Sequence, residues 1–259
     1  MTEKKSISVA DKDASKVKER DTFETPKYAT DLIVSYIPEY VKTIWECASG
    51  GNRMVERLEY HGYGVWATDI DFNSDLHDDN TNFVTDDFSD VPLDEIDAII
   101  TNPPFSVKSQ FVERAFQCNK PFALLLTSDY SKEMISWIQR GCERVVPTSR
   151  INYITPRILQ RVHEGEIWRN IVYPREKENL GMEPLSLTNF KKHYADAWKA
   201  FLIDYADRYR YKSKSDVPSE LLYRYSSAQY HTMWLTYGFD IGRPETFVDL
   251  PVKVRKENM

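Results

Sequence analysis

The feature that most constrains how this chain can fold is a series of short apolar segments separated by polar, helix-compatible sequence. They are residues 42–47 (KTIWEC), 64–68 (GVWAT), 96–101 (IDAIIT) and 122–127 (FALLLT), with a shorter candidate at 82–85 (NFVT). Short runs rich in β-branched, aromatic and leucine residues are typical of strands that are buried on both faces. Strands of that kind, alternating with helices, form a parallel, doubly wound sheet. The sequence therefore predicts an α/β fold.

The regular alternation of predicted strands and helices ends at about residue 150. Up to that point strands alternate with helices, such as the one predicted over 107–118. After it, strands are predicted at 150–154 and 230–237, and a long helix at 189–211 lies between them. This change indicates an additional segment within the C-terminal part of the chain.

Acidic and amide side chains stand where the predicted strands end. Glu46, Asp69, Asp87 and Asn102 each close a strand or follow one directly. In an open parallel sheet, ligands bind beyond the carboxyl ends of the strands. We therefore expect these four side chains to lie at the ligand-binding edge.

The segment from Thr101 to Phe105 joins a predicted strand to two prolines and an aromatic ring. Two successive prolines fix φ and remove two backbone donors, so they stiffen the turn. The Asn102 side chain and the Pro103 carbonyl then become fixed acceptors, and the exocyclic amine of a base offers two N–H donors. Phe105 supplies a face on which a base extruded from a duplex can stack. The pattern indicates chemistry at an amino group on a planar base.

Residues 102–105 (NPPF) match (D/N/S)PP(Y/F/W), the signature of the S-adenosylmethionine-dependent amino-methyltransferases. The chain resembles this family, above all the DNA N6-adenine methyltransferases of phages and restriction–modification systems. The resemblance covers about residues 21–155 and is weaker at residues 225–240. The resemblance implies a Rossmann-like class I methyltransferase fold with a mostly parallel sheet, and S-adenosylmethionine as cofactor. It also implies direct methyl transfer to N6 of an adenine flipped out of duplex DNA. The implied catalytic residues are Asn102, Pro103, Pro104 and Phe105.

The family's glycine-rich loop, (D/E)PxxGxG, corresponds here to residues 46–52 (ECASGGN). Small residues in such a loop let the backbone approach the methionine end of the cofactor. Cys47 and Asn52 stand where the family has proline and glycine. Because of these departures, a catalytically inactive methyltransferase-like module that binds nucleic acid is an alternative interpretation. The implied cofactor-binding residues of this loop are Glu46, Ala48 and Gly50.

Two acidic strand ends are implied to hold the nucleoside part of the cofactor. Asp69 corresponds to the family's ribose-binding acid, with Asp71 as the alternative, because a carboxylate can accept from both ribose hydroxyls. Asp87 and Phe88 resemble the pair that contacts the cofactor adenine, and Asp86 competes for the acidic role. Each of these acids also has an ordinary interpretation as a helix cap or a solvated turn residue.

An N-terminal motif completes the implied cofactor site. Residues 21–26 (DTFETP) resemble the family's aromatic–Thr–Pro motif, which lines the methionine end of the cofactor. Phe23, Thr25 and Pro26 are the residues carried over. Without the resemblance, Thr-Pro would be interpreted as the start of a helix.

The charge distribution points to a separate recognition element. The formal net charge is −6, so the whole chain is not a basic nucleic-acid binder. Residues 157–224, however, have 13 Lys and Arg against 10 Asp and Glu, a net of +3, whereas the rest has 21 against 30, a net of −9. We therefore predict a disordered tail at 1–20, a catalytic domain at 21–156 and 225–252, and a target-recognition insertion at 157–224 that contacts DNA. A solvated surface is the alternative.

Candidate phosphate contacts and aromatic residues are interleaved in that insertion. The basic candidates are Arg157, Arg161, Arg169, Arg175, Lys191, Lys192, Arg208, Arg210, Lys212 and Lys214, and the tyrosines among them are Tyr194, Tyr209 and Tyr211. Another set follows helical spacing and is predicted to be core: Phe190, Tyr194, Ala197, Trp198, Phe201 and Tyr205.

Several other classes of function are disfavoured. The three cysteines lack metal or redox spacing, none follows a proline as in cytosine-C5 methyltransferases, and the five histidines form no ligand cluster. No P-loop, GxSxG or zinc-deaminase signature is present. Without a secretory leader or a long apolar run, we expect no metal, no membrane association and a cytoplasmic location, in a host cell if a phage encodes the chain.

The motif alone does not select the substrate. An adenine in RNA, the N4 amine of cytosine and the amide of a protein glutamine are alternatives, because a planar group fits beside Phe105 in each case. An enzyme that modifies a nucleotide or an unusual base on the same scaffold is a further alternative.

Overall fold

The structure is a computed structural model that describes residues 23–71, 77–151, 153, 156–205 and 231–250. Several predictions fall outside these residues: the tail at 1–20, the first two residues of the N-terminal motif, and the basic and tyrosine positions from 208 to 214. The side chain of Arg157 is also not described. The described residues divide into two compact units, the first comprising those up to Tyr153 with 231–250, and the second comprising 156–205.

The first unit contains one eight-stranded sheet. The strands are β1 Thr43–Glu46, β2 Gly64–Asp69, β3 Asp79–Asn80, β4 Ala98–Thr101, β5 Phe122–Thr127, β6 Glu143–Pro147, β7 Thr232–Tyr237 and β8 Glu245–Val248. Their order across the sheet is β3-β2-β1-β4-β5-β7-β6-β8, and only β7 runs antiparallel to its neighbours, β5 and β6. This mostly parallel sheet has a methyltransferase-like strand order and confirms the predicted fold class.

Four helices belong to this unit: α1 Lys27–Val34, α2 Arg53–Tyr60, α3 Lys108–Gln117 and α4 Lys132–Gln139. Helix α4 begins where the sequence supplies a cap, because the Ser131 hydroxyl accepts from the Met134 amide at 3.2 Å. Helix α1 begins directly after Pro26, which fits the preference for proline at helix starts. Within the described ranges, no helix is long and apolar enough to cross a membrane.

The central strands are buried on both faces, as their apolar sequences predict. Every residue of β4 is buried, and so are the first five residues of β5. At the start of the sheet, the Asp97 carboxylate accepts the amides of Lys42 and Thr43 at 2.7 and 2.9 Å, which ties the beginning of β4 to that of β1. Their parallel pairing therefore brings the last residues of both strands, Glu46 and Thr101, to the same edge.

Two predicted strands are wrong. Residues 82–85 form a turn in which the Asn82 side chain accepts the Val84 amide at 3.1 Å, and the strand lies earlier, as β3. The described residues of 150–154 form no strand, although Ile151 and Tyr153 alternate into the core as the pattern indicated. Instead, β6 and β8 complete the sheet, and neither was predicted, because short strands beside proline have a weak sequence signal.

The second unit is helical. Its elements are α5 Pro156–Ile167, a π-helical segment Trp168–Val172, α6 Tyr173–Leu180, α7 Leu187–His193 and α8 Ala195–Asp204. Ile167, Val172, Phe190 and Trp198 form its small core. The π-helical segment ends two residues before Pro174, whose missing N–H cannot continue an α-helical ladder.

The predicted helix over 189–211 is wrong in its extent. It is interrupted at Tyr194, whose φ of −128° and ψ of 50° leave the helical region, and its predicted end lies outside the described residues. Phe190 and Trp198 keep helical spacing across the break and both are buried, so the pattern did not reveal it. The predicted core stripe is confirmed for these two, and Phe201 and Tyr205 pack against them. It is wrong for Tyr194 and Ala197, which are exposed.

Candidate functional site

A small pocket lies at the carboxyl ends of β1 and β4. Its lining residues come from three separate sequence motifs: the N-terminal motif, the loop after β1, and the residue that follows β4. They are Phe23, Glu24, Thr25, Glu46, Ala48, Ser49, Gly50, Gly51, Arg53, Met54 and Asn102. The structure thus brings together Phe23, Thr25, Glu46, Ala48, Gly50 and Asn102, all of which were predicted site residues.

Glu46 is a buried acid in the wall of this pocket, with 1% of its surface exposed. Its Oε1 accepts from the Thr101 hydroxyl and, at 3.1 Å, from the Ala48 amide. Burial raises the pKa of Glu46 from 4.5 to about 8, the negative charge of Asp69 adds to this, and the two hydrogen bonds oppose it. A cation placed beside Glu46 would favour its ionised form.

The two departures from the family's glycine-rich loop are accommodated by the backbone. Asn52 adopts φ +58°, the left-handed conformation for which asparagine is the most tolerant residue after glycine. Cys47 places its small side chain in the hydrophobic core beneath the sheet edge. At Gly51, a Cβ atom would lie 2.9 Å from Glu24 Oε1, so this position needs a glycine while Glu24 stays in place.

Asp69 is bound to the loop after β1. The Asp69 carboxylate accepts the Gly50 amide at 2.9 Å and the Asp71 amide at 2.8 Å. These bonds hold a carboxylate beside the glycine loop at the end of β2. The following residue, Ile70, is 63% exposed although it is apolar. The choice between Asp69 and Asp71 as the ribose-binding acid stays a prediction.

Among the described residues, the amide of Asn102 is hydrogen-bonded through its nitrogen but not through its oxygen. Its Nδ2 donates to the Phe23 carbonyl at 3.1 Å, which orients the amide. Its Oδ1 is buried and has no hydrogen-bond partner among the described residues. Pro103 is buried and Pro104 half-buried, and the Pro104 carbonyl accepts the Val107 amide at 3.1 Å to begin a short 3₁₀ turn, Phe105–Val107. A buried acceptor without a donor is a site at which a ligand N–H group would be stabilised.

Three aromatic rings pack together beside Asn102. Phe105 stacks on Phe23 with ring centroids 5.4 Å apart, and Tyr153 contacts both rings, at 5.7 Å from Phe23 and 5.8 Å from Phe105. The buried Tyr153 hydroxyl donates to Thr232 Oγ1 at 2.9 Å. Sequence reasoning missed Tyr153 because it lies about fifty residues after the NPPF motif, in a segment interpreted as a strand.

Asp87 and Phe88 are not among the residues that line the pocket. The Phe88 ring is in the core, edge-on to Trp45 at 4.9 Å, and Arg114 lies over it at 4.2 Å. Asp87 is exposed and its carboxylate accepts the Ser89 amide, a bond that lowers its pKa. The competing acid, Asp86, accepts the Asn82 amide at 2.7 Å within the same turn. The adenine-binding role of this turn stays a prediction.

An ion pair that the sequence did not reveal lies in the pocket wall. Arg53 Nε is 2.9 Å from Glu24 Oε2, and the two side chains are only 6% and 14% exposed. Both residues line the pocket. An arginine at the start of a helix usually projects into solvent, so its position in sequence carries no sign of burial.

Thiol and metal chemistry receive no support from the described residues. Burial raises the pKa of all three thiols, to about 11 for Cys118 and to about 12 for Cys142, and well above its usual value for Cys47. A protonated thiol is a poor nucleophile. No group of three His, Cys, Asp or Glu residues that could hold a metal ion occurs in the described part of the chain.

The basic candidates of the second unit fall into two groups. Arg161, Arg169, Arg175 and Lys192 are exposed on its helices. Lys191 is half-buried and forms an ion pair with Glu164, and among the exposed group Arg169 lies 3.9 Å from Glu166. Contact of these residues with nucleic acid stays a prediction.

Comparisons with solved structures include a distant likeness. No protein-family model matches this sequence, and no curated protein is significantly similar to it. A methyltransferase subunit of a type I restriction-modification system from Streptococcus thermophilus superposes with a TM-score of 0.39 and 12% sequence identity, over 51% of this chain and 42% of that one. The chain thus matches less than half the length of that subunit.

Proposed function

We propose that this protein transfers a methyl group from S-adenosylmethionine to the exocyclic N6 amine of an adenine in DNA, with the base flipped into the pocket at Asn102. The observation that carries the proposal is the buried, unpartnered Oδ1 of Asn102. It belongs to an NPPF motif at the end of a central strand and lines a pocket in a sheet of methyltransferase-like strand order.

The pocket residues fit the methionine end of S-adenosylmethionine. That end carries an ammonium and a carboxylate, and the pocket lining contains two acidic side chains, Glu24 and Glu46, and one basic side chain, Arg53. Glu46 would hold the ammonium, the open space beside Gly50 leaves room for close approach, and Asp69 beside that loop would accept from the ribose hydroxyls. When bound, S-adenosylmethionine supplies a methyl group on a positively charged sulfur.

The contribution of the chain to the reaction is orientation and charge stabilisation. Asn102 Oδ1 accepts one N–H of the adenine amine and turns the nitrogen lone pair toward the methyl group. A new N–C bond forms as the S–C bond breaks, and the acceptor stabilises positive charge on the nitrogen until its proton passes to water. The Phe105 ring provides the apolar wall for the base. The raised thiol pKa values agree with transfer in one step, without a cysteine nucleophile.

A catalytically inactive module is the main alternative. The loop conformation argues for an intact site, because Asn52 adopts a left-handed backbone that asparagine tolerates and Cys47 is packed in the core. Activity itself stays a proposal.

Binding and transfer assays together test the proposal. We expect calorimetry to show S-adenosylmethionine binding by the purified protein, because Glu46, the glycine loop and Asp69 form a complementary site. Tritiated cofactor should then label duplex DNA, and not RNA or protein, in parallel reactions. An absence of cofactor binding would leave the inactive module as the better interpretation. Labelling of RNA or protein instead of DNA would keep the chemistry and change the substrate.

A further inference from the structure

Arg53 is a charged side chain in an unusual setting. It is the first residue of α2, is 6% exposed, and lines the pocket. Burial of a guanidinium is costly unless acceptors replace the water that its five N–H groups lose. Glu24 Oε2 forms an ion pair with Nε at 2.9 Å, but Nε and Nη2 are both buried and neither has a hydrogen-bond partner among the described residues. The side chain therefore retains donor capacity beside the pocket.

The start of α2 adds to the positive potential at this point. Asn52 precedes the helix in a left-handed conformation, and its side chain does not cap the helix. The first amides of a helix point outward and carry the positive end of its dipole. Two sources of attraction for an anion, a buried guanidinium and an uncapped helix start, thus coincide beside the pocket.

Acidic side chains line the same pocket as the basic Arg53. Glu46 offers a buried carboxyl group, and Glu24 is engaged with Arg53. A pocket that contains one anion-binding and one cation-binding group matches an α-amino acid, in which a carboxylate and an ammonium share one carbon atom. A neutral or purely cationic ligand would leave Arg53 Nη2 unsatisfied.

We propose that Arg53 binds the α-carboxylate of the methionine part of S-adenosylmethionine, and that Glu24 is a positioning residue that holds the guanidinium in the pocket wall. The inference rests on the proposed cofactor of this site. It assigns a specificity: the pocket selects ligands with a free α-carboxylate over otherwise identical ligands without one.

A comparison of ligands on the unmodified protein tests this without any mutation. Calorimetry should show that S-adenosylmethionine binds on the order of 10- to 100-fold more tightly than decarboxylated S-adenosylmethionine, because a hydrogen bond to a charged partner is lost. Equal affinities would overturn the inference while leaving the proposed cofactor intact. Failure of both ligands to bind would count against the proposed function itself.

Substitutions then test whether Arg53 is the residue that recognises the carboxylate. Arg53→Gln should weaken binding of S-adenosylhomocysteine by a similar factor and change binding of 5′-methylthioadenosine, which lacks the amino-acid part, by less than about threefold. Arg53→Lys, which keeps the charge, should lose less. Arg57→Gln is the matched control, because Arg57 lies on the same helix but pairs with Asp31. Wild-type affinity of Arg53→Gln for S-adenosylhomocysteine, or an equal loss for both ligands, would overturn the assignment.

The positioning role of Glu24 has its own readout. Glu24→Gln should weaken S-adenosylhomocysteine binding by less than Arg53→Gln does, and the double variant should lose no more than Arg53→Gln alone, because both changes act through one contact. Losses that add in the double variant would show that Glu24 acts independently of Arg53.

Discussion

Replacement of Asn102 with alanine should lower the rate of methyl transfer by at least about 100- to 1,000-fold, the usual effect of removing an aimed polar group that stabilises transition-state charge. The expectation follows from the buried Oδ1, which has no partner among the described residues and belongs to a residue that lines the pocket. Affinity for S-adenosylmethionine should change by less than about threefold, since this oxygen serves the target amine and not the cofactor. A single-turnover assay with saturating cofactor separates the two quantities.

A matched variant controls for the second role of this side chain. Asn102 Nδ2 donates to the Phe23 carbonyl, so alanine also releases the N-terminal motif. Asn102→Asp keeps an acceptor for the amine and loses that donor, and it should retain measurable transfer where alanine does not. Ser109→Ala, at a half-buried position of α3 where the hydroxyl donates to Glu133, should behave as wild type. Transfer by Asn102→Ala within threefold of wild type would remove Asn102 from the mechanism.

Replacement of Glu46 with glutamine should stabilise the cofactor-free protein at high pH. Burial holds the pKa of Glu46 at about 8, above its ordinary value of 4.5, so the unfolded chain ionises this group first as pH rises. Stability from the buried, protonated form is therefore complete below pH 4.5 and is lost as pH rises to about 8, by up to about 5 kcal/mol. Glutamine cannot ionise, so the free energy of unfolding of Glu46→Gln should fall less over this range.

Chemical denaturation at pH 5.5 and pH 8.5 measures this difference. The two proteins should differ little at pH 5.5, because glutamine can accept the same Thr101 and Ala48 bonds, and Glu46→Gln should be the more stable at pH 8.5. Asp97→Asn is a control of opposite sign. The Thr43 and Lys42 amides lower the pKa of Asp97, so its loss should destabilise at neutral pH and matter little in strong acid. Parallel pH curves for Glu46→Gln and wild type would contradict the account of Glu46.

The same substitution should weaken the binding of S-adenosylmethionine. An ionised Glu46 would hold the ammonium, and a neutral amide cannot replace that charge. Gain of stability with loss of affinity is the combination expected of a polar group kept for ligand binding. Unchanged affinity would place the ammonium elsewhere in the pocket.

The parts of this fold that the sequence predicts well are those fixed by local pattern. The apolar runs that became β1, β4 and β5 are buried on both faces, and their ends bring Glu46 and Asn102 to one edge. β6 and β8 were missed because short strands beside proline have a weak sequence signal. The helix break at Tyr194 was missed because helical spacing continues across it.

The parts of the site that the sequence could not predict depend on contacts between distant segments. Arg53 is buried only because Glu24, almost thirty residues earlier, faces it in the folded chain. Tyr153 joins Phe23 and Phe105 through packing that no motif encodes. The left-handed backbone of Asn52, with a φ of +58°, was also not predictable, because one-letter patterns do not carry backbone conformation.

The most direct test of the central claim is the identity of the base that carries the methyl group. DNA from host cells without adenine methylation of their own, expressing either the wild-type protein or Asn102→Ala, can be digested to nucleosides and measured by mass spectrometry. The account predicts N6-methyladenine with the wild-type protein and none with Asn102→Ala. N6-methyladenine at equal levels with both proteins, or a methyl group found only on cytosine, would contradict it.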